Sequence, residues 1–193
     1  FLITEHLAQI DNLEGAVERL SHQIEEKLRP FEPQIGWLDT IPGINRRTAE
    51  VLWAETGGDM GRFASARHLA SWAGMCPGNN ESAGKRRSGR TRKGSPWLRH
   101  CLVEAAHGAA HTKNKYLRSQ YHRIAARRGK KKALLAVGHS ILVIAYHLLT
   151  RQQAYTDLGA NYFDERDRQA VTRRCVNRLQ KLGYEISLEK LQM

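Results

Sequence analysis

Between residues 76 and 97 the chain reads Cys-Pro-Gly-Asn-Asn-Glu-Ser-Ala-Gly-Lys-Arg-Arg-Ser-Gly-Arg-Thr-Arg-Lys-Gly-Ser-Pro-Trp, and no continuous helix can run through it. Four glycines (Gly78, Gly84, Gly89, Gly94) and two prolines (Pro77, Pro96) interrupt every periodicity, so an extended loop is expected, neither helix nor strand. A loop this long in a compact domain is usually functional or disordered, and the segments on either side must fold so that it leaves and rejoins one core. Its charge narrows the function. Lys85, Arg86, Arg87, Arg90, Arg92 and Lys93 face a single acid, Glu81. Such a segment repels itself until a polyanion neutralises it, and phosphate is the commonest one.

Among these cations stand Ser82, Ser88, Thr91 and Ser95. Arginines that hold a phosphodiester and stabilise its developing charge let a serine hydroxyl attack phosphorus. The plainer alternative is a basic loop made supple by serine and glycine so that it can follow a nucleic-acid backbone. Composition alone leaves both open.

The imbalance extends to the whole chain, with 31 Lys and Arg against 19 Asp and Glu and a net charge of +12. Nucleic acid is therefore the expected partner. A membrane partner would need a basic amphipathic helix with exposed aromatics, and none is evident. Three cysteines (Cys76, Cys101, Cys175), with no Cys-x-x-Cys pair, argue against a disulfide framework or a zinc ribbon and for a reducing, cytoplasmic setting. No signal peptide is evident. Ala133 to Leu149 is apolar but about a turn short of a membrane span and contains His139, Ser140 and His147, so a buried core helix is expected. Phe1 opens within a helical pattern, which points to a piece of a longer protein.

Taken in order, residues 1–29 place Ile3, Ile10, Val17 and Ile24 seven apart, with Leu13 and Leu20 between them and His6 and Lys27 breaking the seam near its ends. β-Branched residues at a with leucine at d predict a two-stranded coiled coil, in a segment of residues 1–33 that Pro30 and Pro33 close. Packing of that helix back on its own domain is the alternative. Residues 34–193 are expected to form one mainly α domain. Within it, residues 37–53 carry Ile41-Pro-Gly-Ile-Asn before a helix, which resembles a helix-hairpin-helix whose tight turn leaves backbone N–H groups for a phosphate. Asn45 stands where a second glycine is usual, and Arg46 and Arg47 would reinforce the contact; a plain corner in the core is the alternative.

A short helix over 65–74 should turn Leu69, Ala70 and Trp72 inward, and an alanine-rich helix from Trp97 should bury Leu98, Leu102, Ala105, Ala106 and Ala109. His107 and His111 have the i, i+4 spacing of zinc helices, but no glutamate lies between them and no third ligand is evident, so no metal site is assigned. Arg127, Arg128, Lys130, Lys131 and Lys132, with Arg123, make a second basic patch around Gly129. Three lysines at a helix start oppose its dipole, which is sensible where a phosphate lies between, although a solvated charge run reads the same way. Asp164 is expected to cap a last helix to Leu182, and residues 184–188 alternate like a short strand. Between Gly61 and Thr156 the only acids are Glu81 and Glu104, too few for a two-metal nuclease site.

Ile41-Pro-Gly-Ile-Asn, Phe63-Ala-Ser-Ala-Arg-His-Leu-Ala-Ser-Trp-Ala-Gly-Met-Cys-Pro-Gly and Glu81 through Arg99, followed by Arg128-Gly-Lys-Lys-Lys-Ala and Tyr162-Phe-Asp, closely resemble the C-terminal domain of the insertion-sequence 110/1111 transposases, related to Piv-type DNA invertases. The resemblance covers nearly everything from Trp37 onward, and the heptad helix matches the coiled coil before this domain in the family. It implies a recombinase of two cooperating parts. A RuvC/RNase H-like domain carries an acidic tetrad that binds Mg²⁺, and this domain supplies a serine that becomes joined to DNA. A non-coding guide RNA specifies target and donor in the members known as bridge recombinases. The family serine maps onto Ser82, here in Ser-Ala-Gly where many relatives have Ser-Gly-Gly or Ser-Ser-Gly; Ser88 and Ser95 are its rivals.

By this resemblance the chain should bind DNA and a guide RNA, form a homodimer or higher oligomer, hold no cofactor of its own, work at the nucleoid, and fail to recombine DNA alone. Two other readings compete with it. One is a non-catalytic helix-hairpin-helix module that binds nucleic acid, and the other is an assembly module dominated by the coiled coil.

Overall fold

The computed structural model describes residues 1–78, 80–89, 91 and 93–189, without the side chains of Asn80, Arg86 and Arg87. The chain is mainly α-helical, as expected. Helix α1 (Leu2–Leu28) runs into a 3₁₀ turn, Arg29–Phe31, and α2 (Glu32–Asp39) follows at once. Pro30 lies within that turn, whereas Pro33 sits in the first turn of α2 and starts a helix rather than ending one. Then come α3 (Arg46–Thr56), α4 (Ala66–Trp72), strands β1 (Asn80–Ser82) and β2 (Lys85–Ser88), and α5 (Pro96–His111). Helices α6 (Tyr116–Arg128), α7 (Lys130–Arg151), α8 (Tyr162–Arg166) and α9 (Arg168–Lys181) complete the order.

The core is organised around α7, which packs on α2, α4, α5 and α6. Ala133, Val137, Ile141, Ala145 and Leu148 recur at helical spacing and are buried, so the apolar run does form a core helix. By length and composition α7 would also suffice to cross a membrane, but its inner face is spent on these neighbours. Helix α5 presents Leu98 and Leu102 and then only alanines (Ala105, Ala106, Ala109, Ala110), all buried, so other elements can approach it closely. The Pro42-Gly43 turn uses this. Gly43 has φ +88°, and a Cβ there would meet the Ala105 carbonyl oxygen at 2.1 Å and the Ala109 nitrogen at 2.5 Å. Only glycine fits, and the α2–α3 corner is thereby pinned to α5.

Caps fall where the side chains dictate. Asn45 accepts the Thr48 N–H at 2.9 Å and starts α3, Ser65 accepts the His68 N–H to start α4, and Gly57 ends α3 with φ +71°.

Four expectations are corrected. The 76–97 stretch is not all loop: β1 and β2 pair antiparallel, because Ala83-Gly84 supplies a two-residue reversal that composition concealed. Trp72 is 46% exposed, tilted against Phe63 rather than inward. The last helix is two, broken at Asp167, and Asp164 pairs with Arg123 at 3.1 Å instead of capping. Residues 184–188 form no strand, having no neighbour to pair with.

Candidate nucleic-acid interface

The basic stretch leaves the core at Cys76 and returns at Ser95, and its two ends are fastened. Pro77 bridges Thr91, and Arg99 donates to the Thr91 hydroxyl at 2.7 Å. Gly94 lies backbone against backbone on the end of α4, where a Cβ would come within 2.3 Å of the Ala73 carbonyl carbon. Ser95 accepts the Leu98 N–H at 3.2 Å as the cap of α5 and donates to Glu55 Oε2 at 2.7 Å.

Between these fastenings rises the hairpin, with Ser82 opposite Lys85, Glu81 opposite Arg86, and Asn80 opposite Ser88 across a bulge. Ala83 and Gly84 both have positive φ, 51° and 71°, as a type I′ reversal requires. The alanine methyl makes this conformation unfavourable by about 1–2 kcal/mol, so the turn is held by its flanking pairs. Ser82 is exposed beside this turn, and its hydroxyl makes no hydrogen bond among the described residues. Residues opposite one another on an antiparallel ribbon share a face, so the exposed Lys85 stands on the side that presents Ser82.

The rival serines are placed differently. Ser88 is half-buried on β2, and the hydroxyl of Ser95 is engaged twice, in capping α5 and in donating to Glu55. Lys93 is exposed and lines an open cavity with Arg62 and His68. Arg86 and Arg87 lie in the backbone of β2, whereas Arg90 and Arg92 fall outside the described residues.

The second patch assembles as expected. Arg127 and Arg128 end α6, Gly129 reverses the chain with φ +86°, and Lys130, Lys131 and Lys132 open α7, all of them exposed. No carboxylate pairs with any of these five cations among the described residues. Arg123 is committed elsewhere, to Asp164 and to the face of Phe163 at 5.1 Å. The same helix carries a basic cavity of about 260 Å³ that the sequence pattern did not mark, with Lys115, Arg118 and His122 on its wall.

Arg46 and Arg47 are not free cations. Arg46 holds both oxygens of Glu32, at 2.5 and 2.8 Å, and reaches the buried Glu50 at 3.2 Å. Arg47 holds the other Glu50 oxygen at 2.9 Å and donates to Ser21 of α1. The Arg46 guanidinium holds the Glu32 carboxyl below the usual carboxylate range. A single buried acid thus ties both arginines to the fold, a pairing that the i, i+3 and i, i+4 spacing of Arg46, Arg47 and Glu50 could have announced.

The histidines of α5 do not converge on a metal. The rings of His107 and His111 lie 4.8 Å apart and tilted by 35°, with His111 Nδ1 on the His107 carbonyl, while His100 faces Glu104 at 3.3 Å. No group of three or more His, Cys, Asp or Glu that could hold a metal ion occurs among the described residues. Below the loop, Cys76 Sγ lies 3.9 Å from His139 Nδ1, and burial lowers the His139 pKa.

Residues 36–122 match the Transposase IS116/IS110/IS902 family. The transposase for insertion sequence element IS1111A of Coxiella burnetii is 30% identical over 61% of this chain and 33% of its own length. The pilin gene-inverting proteins of Moraxella lacunata and Moraxella bovis are 27% and 26% identical, each over 72% of this chain and 45% of their own length. The chain spans less than half the length of these curated relatives.

Proposed function

We propose that this chain is the serine-bearing part of a DNA transposase that joins its Ser82 hydroxyl to a DNA phosphate. The observation that supports this best is the position of Ser82, exposed beside the tip of a cationic hairpin with Lys85 on the same face. Attack by Ser82 Oγ on phosphorus forms a phosphoserine link and releases the other strand end as its hydroxyl, so no phosphodiester energy is lost and rejoining reverses the step. Cations of the hairpin neutralise the phosphate before and during attack. Arg46 and Arg47 join in only by exchanging Glu32 and Glu50 for phosphate, which makes them the weakest members of the interface.

A separate RuvC-like domain bearing acids and Mg²⁺ would take the serine proton and stabilise the leaving oxygen until it is protonated, and without that domain this chain binds DNA and does not recombine it. The patch from Arg127 to Lys132 is the natural seat for a guide RNA, since its cations face no acid among the described residues and lie on helices α6 and α7, apart in sequence from the hairpin. The helix-hairpin-helix turn serves first as packing, because Gly43 is consumed against α5. The seam of α1 closes a homodimer, and the setting is the bacterial nucleoid in the cytoplasm.

The test joins this chain to the acidic domain and its guide RNA. Ser82→Ala should abolish strand exchange and the covalent protein–DNA adduct while DNA affinity stays within about threefold, since a neutral hydroxyl releases no counterion. An adduct that persists in Ser82→Ala refutes the assignment, and one lost in Ser95→Ala but not in Ser82→Ala transfers it to the rival.

A further inference from the structure

Trp97 is the most exposed tryptophan-sized surface on the folded domain, at 75%, and it stands two residues beyond Ser95, where the loop rejoins α5. Its indole forms one wall of a groove of about 520 Å³ between α3 and α5. Val51 and Ala54 provide an apolar floor, and the half-buried Cys101 thiol beside them is pushed up in pKa by burial, which favours its neutral form.

The rim differs in charge from the surface around it. Glu55 and Glu104 line the groove, opposed by His100, which faces Glu104, and by Arg47, which is already held by Glu50. Two carboxylates repel a phosphate backbone. They accept hydrogen bonds from the exocyclic amino groups of a base, and Glu55 keeps Oε1 for this purpose while Oε2 serves Ser95. A flat aromatic wall, an apolar floor and acceptors at the edge fit a nucleobase rather than the chain that carries it.

We infer that the groove between α3 and α5 holds one unpaired, amino-bearing base of the DNA strand handled by the hairpin, stacked on the indole of Trp97. The inference rests on the reading of the chain as a DNA-joining transposase and adds a fixed point to it. Pulling one base out of the stack beside the scissile phosphate sets the strand's register against the serine, which a purely cationic loop cannot do.

The experiment uses the 193-residue chain and a single-stranded DNA dodecamer with one central 5-iodocytosine, irradiated in the complex and mapped by mass spectrometry. The adduct is expected on Trp97. Trp97→Ala should remove it and weaken binding about tenfold, while Trp97→Phe should keep affinity within about threefold, because stacking of one base on an aromatic ring is of that size. Because Trp97 is exposed, its loss leaves the core intact, which circular dichroism checks. Glu104→Ala should narrow the preference for deoxycytidine over thymidine oligonucleotides.

Binding with adducts confined to residues 76–95 overturns the proposal and leaves the DNA-joining reading standing. Absence of DNA binding in the parent chain overturns both. Crosslinking to Trp97 by the RNA counterpart alone, or loss of self-association in Trp97→Ala with DNA affinity unchanged, also overturns it, the latter making the groove a protein contact.

Discussion

Helices α1 and α7 are the two longest in the chain, 27 and 22 residues, and they treat apolar side chains in opposite ways. Helix α7 buries seven residues, among them Val137, Ile141 and Leu142 at full burial, against four neighbouring helices. Helix α1 buries none: Ile3, Leu13, Val17 and Leu20 are all 59–76% exposed. The difference follows from the repeat. Apolar residues of α7 cover a broad arc suited to several partners at once, whereas those of α1 form a narrow seven-residue seam that suits one parallel partner. Helix α1 touches its own domain toward its C-terminal end, through Leu28 and the Arg47–Ser21 hydrogen bond, and its seam is otherwise exposed.

Four measurements would break or sharpen this contrast, in descending order of expected effect. Leu142→Ala should lower the unfolding free energy by about 2–5 kcal/mol in urea titration, through lost burial and the cavity left behind. Ser95→Ala, which removes the α5 cap and the partner of Glu55, should lower it by about 1 kcal/mol. A smaller effect is expected from pH. Burial depresses the folded-state pKa of His139 on α7 below its ordinary value of 6.5, so the unfolded chain binds its proton first. Stability should therefore fall as pH drops from about 7 through 6.5 toward that lower pKa, and His139→Gln should flatten that part of the profile measured by urea titration.

The smallest change in folding belongs to α1. Val17→Glu should move the unfolding free energy by less than about 0.5 kcal/mol while converting a dimer to a monomer in sedimentation. Core destabilisation as large as that of Leu142→Ala would mean that α1 folds back on its own domain, and the contrast would collapse.

Much of this architecture is legible in the residues. The spacing of Leu98, Leu102, Ala105 and Ala109 gives the inner face of α5, and Asn45, Ser65, Gly57 and Gly129 mark helix ends because their side chains, or lack of one, act within a single turn. What escapes is non-local. The Ala83-Gly84 reversal hides because alanine is a poor choice for positive φ and only cross-strand pairing holds it there. Pairing of Arg46 with Glu32, fourteen residues apart, depends on how α2 and α3 meet, which Gly43 fixes through its contact with α5. Trp97 precedes the inward face that begins at Leu98, and its place on the groove between α3 and α5 depends on how those two helices meet.

Anchoring of the hairpin at Pro77–Thr91 and at Gly94 has a consequence for rate. For the proposed attack by Ser82, tying the hairpin at its base would confine the hydroxyl to the volume swept by a short ribbon, so its local concentration at a phosphodiester would be set by a small closed loop rather than by a free arm of some twenty residues. Since closure entropy grows with the logarithm of length, the gain from tethering alone is modest, and orientation of the ribbon by its cation contacts supplies the larger share.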